Sequence, residues 1–166
     1  MNRGEGKSIR RQASLYLYGF PEIEKLRHQF NPVQAALIPA HVTLCREDEV
    51  DDWPLLQTRI QAAGPLNITI EFGRPVRESN LVYLPVVGGG DQIENLRREL
   101  LGTATHLPRK QLPHLTIIHP RNGVCTDTVF RDLLDRCVPF SAIFREISLI
   151  EQSDGGPWCR FACGGQ

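Results

Sequence analysis

Two short segments of the chain carry the residue types that could do chemistry: Pro39-Ala40-His41-Val42-Thr43-Leu44 and Pro113-His114-Leu115-Thr116-Ile117. Each sets a histidine and a threonine two residues apart, with apolar residues between and after them. In an extended strand, side chains at i and i+2 share a face, so each segment presents an imidazole beside a hydroxyl and turns its apolar neighbours toward a core. An unperturbed imidazole titrates near neutrality, so one of two such groups can accept a proton while the other donates one. The threonine hydroxyls can donate to non-bridging oxygens, with backbone N–H groups as further donors. Four such groups around one tetrahedral centre describe a phosphodiester site. A lone histidine in a β run is usually structural; it is the duplication that argues for catalysis.

The two segments belong to a larger internal repeat. Leu15 to Phe20 reads as a strand and Pro21 to Phe30 as a helix with proline in its first turn, followed after a loop by the first His-x-Thr strand. The acidic run Glu47 to Asp52 suits a helix N-terminus and is placed at an outer helix end, away from any RNA. A helix from Trp53 to Ala63 and a strand from Leu66 to Phe72 complete the unit. The second half runs in the same order: a strand over Leu81 to Val87, a glycine turn, a helix over Gln92 to Leu100 capped by Asp91, and the second His-x-Thr strand. The helix signatures Ile23-Glu24-Lys25-Leu26-Arg27 and Ile93-Glu94-Asn95-Leu96-Arg97 match at four of five positions. A helix from about Thr126 to Arg136, with Val129, Leu133 and Leu134 inward, precedes strands over Phe140 to Gln152 and Trp158 to Ala162, joined by the turn Ser153 to Pro157.

This order predicts an α+β fold with two pseudo-symmetric lobes around a central cleft, across which the two His-x-Thr strands face each other. Residues 1–13 are read as a flexible arm and 14–166 as a single bilobal domain, with repeat units of about 14–78 and 79–164. Lysine plus arginine equals aspartate plus glutamate at 19 each, so any anion site must be local. Five cysteines at irregular spacings, without a Cys-x-x-Cys, read as buried free thiols in a reducing cytosol. No apolar run is long enough for a membrane span, and the expectation is a soluble, cytoplasmic monomer with no membrane partner.

On these residues the chain resembles the 2H phosphoesterase superfamily, which includes bacterial RNA 2′,3′-cyclic phosphodiesterases also named 2′-5′ RNA ligases. The resemblance runs from about Ser14 to Gly164. It implies two similar lobes, each an antiparallel sheet backed by helices, around a cleft that works without a metal or other cofactor. It further implies that His41 and His114 are the catalytic pair, that Thr43 and Thr116 hold the phosphate, and that His114 activates water while His41 is the acid. The substrates it implies are RNA 3′ ends or small nucleotides. Where several relatives continue the first motif into a Phe-Leu-Gly-type turn, this chain has Cys45-Arg46-Glu47-Asp48.

Other residues are weaker candidates. Tyr83, and Tyr16 and Tyr18 on the matching strand, have the shape to stack a base, although core aromatics look the same in sequence. Arg109, Lys110 and Arg121 flank the second motif where a neighbouring phosphate would pass. His119 falls on the opposite strand face from His114 and reads as structural, while His28 and His106 read as surface residues. A metal site is disfavoured: the histidine spacing suits neither a helix nor a knuckle, and no acidic residue accompanies either motif on its face.

Overall fold

Alternation within the two histidine strands sets the layers of the molecule. Val42, Leu44, Leu115 and Ile117 are at most 1% exposed and join one core with apolar helix residues such as Ile23, Leu26, Ile93 and Leu96. His41, Thr43, His114 and Thr116 alternate with them and are half-buried. The computed structural model describes residues 8–102 and 112–164. In chain order the elements are β1 (Ile9–Tyr16), α1 (Pro21–Phe30), α2 (Pro32–Leu37), β2 (His41–Arg46), a 3-10 turn (Glu47–Glu49), α3 (Trp53–Ala62), β3 (Ile68–Phe72), β4 (Val76–Glu78), β5 (Leu81–Gly88), α4 (Gly90–Leu101), β6 (His114–Ile118), α5 (Asp127–Arg136), β7 (Phe140–Phe144), β8 (Ile147–Ser153) and β9 (Trp158–Gly164).

The fold is α+β, with antiparallel strands in the order β7-β3-β5-β6-β2-β1-β8-β9 and β4 added to β5. The histidine strands β2 and β6 are neighbours at the centre, in register at Val42 and Leu115. Four strands of the path lie on each side of that junction.

Several expectations need correction. The sheet begins at Ile9, because β1 extends back along β8, so residues 9–13 are strand rather than arm; residues 1–7 lie outside the described residues. The run from Phe140 to Gln152 is two strands: β7 pairs with β3, whereas β8 pairs with β1. The strand groups therefore do not follow the boundary at residue 78. β3, from the first repeat, lies between β5 and β7, and β8 and β9, from the second, extend the sheet beyond β1. Asp91 is inside the first turn of α4, whose N-cap is Gly89 in a left-handed conformation. A Cβ at Gly89 would lie 2.1 Å from the Thr69 carbonyl, so the position demands glycine. α2 and β4 were not anticipated.

The hairpin between β8 and β9 forms as read, with Asp154 and Gly155 both at positive φ, as a tight hairpin turn requires. α5 is capped by the Thr126 hydroxyl, which accepts from the Val129 N–H at 3.2 Å. Cys45, Cys125 and Cys137 are buried free thiols, whereas Cys159, expected buried, is exposed. Among the described residues no helix is long and apolar enough to cross a membrane.

Candidate active site

Each catalytic candidate opens its strand, His114 directly after Pro113 and His41 two residues after Pro39, and the preceding backbone turns back onto the ring. The Nδ1 of His41 lies 2.7 Å from the Pro39 carbonyl oxygen, and the Nδ1 of His114 lies 2.9 Å from that of Leu112. A carbonyl only accepts, so each neutral ring carries its proton on Nδ1, leaving Nε2 as the nitrogen available to a reactant. The repeat thus duplicates the tautomer as well as the residue.

His41, Thr43, His114 and Thr116 line one cleft of about 390 Å³. Burial pushes His41 down to about 4, helped by the nearby charge of Arg27 and by His114 and His119, while the Pro39 carbonyl opposes the shift. His41 is therefore neutral in the open cleft at pH 7.

A buried clamp on α1 ties the two motifs together. Arg27, 2% exposed, donates from Nε to the Thr116 carbonyl (3.2 Å), from Nη2 to the Ile38 carbonyl (2.8 Å) and from Nη1 to Glu24 (2.9 Å). Glu24 in turn accepts from the Ala40 N–H. One ion pair thus holds both the backbone entering β2 and the middle of β6. Its counterpart on α4, Arg97, donates to the Leu44 carbonyl and, at 2.6 and 3.2 Å, to both carboxylate oxygens of Glu49. The matched Ile-Glu-x-Leu-Arg signatures carried this signal: both arginines follow the inward leucine directly, on a face that is buried.

The cleft includes residues that the sequence reading missed or set aside. His119, expected on the opposite face, lines it, because β6 ends at Ile118 and the chain turns. Its N–H donates to buried Asn31 (2.8 Å), and its Nδ1 accepts the Arg121 N–H (3.1 Å), so the neutral ring keeps its proton on Nε2, the reverse of the other two. Burial and the charges of Arg121 and Arg10 hold His119 below its ordinary value. Glu47 and Asp48, expected at an outer helix end, also line the cleft, and Glu47 pairs with Arg10 at 3.1 Å. Arg10, Arg11, Arg46, Gln34 and Trp158 complete the wall. Short motifs could not reveal them, because they come from four separate segments.

Of the other candidates, Arg121 lines the cleft as expected. Arg109, Lys110 and His106 lie outside the described residues. Tyr83 is not in the cleft wall: its ring packs edge-on against His114, centroids 5.2 Å apart, and its hydroxyl donates to Glu78 at 2.9 Å. Tyr18 is 60% exposed and lines a neighbouring groove of about 590 Å³ with Tyr16, Leu66 and Phe144, where its hydroxyl meets Glu146 and Arg160. Tyr16, opposite His41 in the ladder, packs edge-on to it at 6.4 Å. The tyrosines therefore buttress the histidines or face elsewhere. His28 is exposed on α1, as read. Among the described residues, no three His, Cys, Asp or Glu side chains are grouped to hold a metal ion.

A mixed sheet-and-helix fold with two His-x-Thr strands at its centre is consistent with the 2H phosphoesterase superfamily. The model of the 2′-5′ RNA ligase superfamily matches residues 18–156, and the chain belongs to that family. Among solved structures it is similar to E. coli LigT complexed with NADP+ (16% identity, TM-score 0.58, covering 93% of this chain and 95% of that one). It is also similar to E. coli LigT complexed with phosphate (16%, 0.56, 93% and 94%) and to a phosphoesterase (14%, 0.55, 94% and 97%). At these identities the likeness is one of fold. A search of curated proteins found no match.

Proposed function

We propose that the chain is a phosphodiesterase that opens a 2′,3′-cyclic phosphate on an RNA end or nucleotide and leaves the 2′-phosphate, without a metal. The observation that carries this reading is the pair of cleft-lining imidazoles, each with Nδ1 on a backbone carbonyl and Nε2 available to a reactant. Water attacks phosphorus in line with the 3′-oxygen. One histidine takes the water proton, the P–O3′ bond breaks, and the other histidine protonates the departing oxygen. Thr43, Thr116 and the Nε2–H of His119 donate to the phosphoryl oxygens as charge builds on them. Because His41 is neutral in the open cleft, we assign it as the acceptor and His114 as the donor, the reverse of what the resemblance implies. Run backwards, the same steps join a 2′-phosphate end to a hydroxyl.

The decisive experiment incubates the protein, in excess EDTA, with an oligoribonucleotide ending in a 2′,3′-cyclic phosphate and with small cyclic nucleotides, comparing wild type, His41→Ala and His114→Ala. Histidine-dependent opening is expected, with the product end identified by mass and phosphatase sensitivity. Full activity in both variants would sink the two-histidine mechanism, and loss of wild-type activity in EDTA would point to a metal. Binding without turnover would make the cleft a nucleotide- or RNA-end-binding module. A second reading, a phosphodiesterase of small nucleotides such as an ADP-ribose cyclic phosphate or a 2′,5′-linked dinucleotide, is supported by the modest cleft volume of about 390 Å³. The crystals of E. coli LigT with NADP+ and with 3′-AMP bear on the same reading. We place the protein in the cytoplasm as a monomer, where the exposed thiol of Cys159 stays reduced.

A further inference from the structure

The repeat accounts for the centre of the cleft but not for one of its ends. β2 runs from His41 to Arg46, about 16 Å along the strand, and Gln12 of β1 stands opposite Arg46, with Arg10 two residues further on. Trp158, at the start of β9, lines the same cleft, and the Arg10 guanidinium sits over its ring, 5.6 Å from the centroid. These three residues come from the β1 extension, the end of β2 and the β8–β9 hairpin. The duplicated chemistry needs only the histidines and threonines. Five arginines line the cleft in a chain whose net charge is zero; Arg27 pairs with Glu24, Arg11 with Glu151 and Arg10 with Glu47, which leaves Arg46 and Arg121 as cations beyond these pairs. One cyclic phosphate carries a single negative charge, so the cationic excess exceeds what the reacting group requires.

Building on the phosphodiesterase reading, we propose that Arg10, Arg46 and Trp158 form a second subsite, which takes the phosphate and the base of a nucleotide attached to the one bearing the cyclic phosphate. Arg46, exposed at the strand end, and Arg10 meet the second phosphate, which replaces the Glu47 carboxylate at the Arg10 guanidinium. The base stacks on the Arg10–Trp158 pair. Glu47 and Asp48 face the same space and repel a phosphate placed toward them, confining it to the Arg46 side. The preferred substrate is therefore a dinucleotide or longer end rather than a mononucleoside cyclic phosphate.

The test compares kcat/KM of the full chain on three substrates: a nucleoside 2′,3′-cyclic phosphate with a free 5′-hydroxyl, the same nucleoside with a 5′-phosphate, and a dinucleotide ending in the 2′,3′-cyclic phosphate. Wild type should prefer the dinucleotide over the free nucleoside by about tenfold, mostly through KM, with the preference shrinking as salt rises. In Arg46→Ala, Arg46→Gln and Trp158→Ala, the ratio of the two kcat/KM values should fall toward one, each variant's own mononucleoside turnover showing that its cleft is assembled. A 5′-phosphate that recovers the whole gain independently of Trp158 would overturn the base contact and leave a terminal-phosphate site. Equal kcat/KM on all three wild-type substrates, or a ratio unchanged in the variants, would overturn the subsite while leaving the reaction intact. No turnover of any substrate would overturn the reaction first, and the subsite with it.

Discussion

At the scale of single residues, the proton assignments make the sharpest statements. A base with a folded value of about 4 and an ordinary value of 6.5 binds fewer protons folded than unfolded between those limits. Stability therefore rises with pH across that window and is lost as pH falls through it. Thermal unfolding should show the melting temperature dropping from pH 7 to pH 4.5, with His41→Gln, which cannot titrate, flattening the slope. The same value predicts the rate profile. If His41 accepts the water proton, kcat/KM on the free enzyme holds down to about pH 4 on its acid side; if His41 is the donor, kcat/KM declines with each pH unit above about 4. A plateau extending to pH 5 supports the acceptor assignment, and a steady decline from there to neutrality reverses it. Replacing either histidine with alanine should cost about 10²- to 10⁴-fold in kcat. Thr43→Val or Thr116→Val should cost about 10²-fold, because each removes a donor to the phosphoryl oxygens while keeping the β-branched shape.

At the scale of elements, helix α1 does more than cover the sheet, since through Arg27 and Glu24 it fixes the spacing of β2 and β6. Truncating one partner of a buried, hydrogen-bonded pair costs about 3–5 kcal/mol. Arg27→Met and Arg97→Met should both lower the denaturation midpoint, but their effects on catalysis should differ. Arg97 grips the far end of β2, at Leu44, whereas Arg27 grips the backbone beside the histidines and its charge holds His41 down. Arg27→Met should therefore lower kcat and move the acid limb of the profile upward, with Arg27→Lys recovering part of both, and Arg97→Met should leave the limb in place. Identical pH profiles in the two variants would reduce Arg27 to a structural role. Helix faces and the two motifs were legible in the sequence because they are written locally, in periodicity and in short patterns, whereas the cap of α4 was not, because Gly89 rather than Asp91 takes that position. The position of His119 was not, since extrapolating the alternation of β6 past Ile118 assumes a strand that the loop at Arg121 ends. The acidic run was misplaced for a similar reason: the 3-10 turn at Glu47–Glu49 folds it back toward Arg10 and Arg97.

At the scale of the whole molecule, the repeat in the sequence and the pairing in the sheet divide the chain differently. Alternation within Ile68–Phe72 or Ile147–Ser153 tells which face of a strand is buried, but not which neighbour it will find, so the exchange of β3 and β8 could not be read from either segment. Its consequence is that neither repeat is a folding unit. Among the described residues β3 pairs only with β5 and β7, both from the second half, and the long ladder joining β1 to β8 brings together Ser14 and Ser148, nearly opposite ends of the chain. Separated at residue 79, the first fragment would lack both described partners of β3, and the second would carry the β8–β9 hairpin without β1, the strand that covers the other edge of β8. Unpaired backbone groups and the apolar faces of Ile70, Phe72, Leu149 and Ile150, each fully buried in the intact chain, oppose folding of either piece alone. Circular dichroism should find no cooperative thermal transition in fragments 1–79 or 80–166 alone, and one should appear when they are mixed in equal amounts. A cooperative transition in either isolated fragment would show that the exchanged strands are dispensable and that the repeat can fold as its sequence is written.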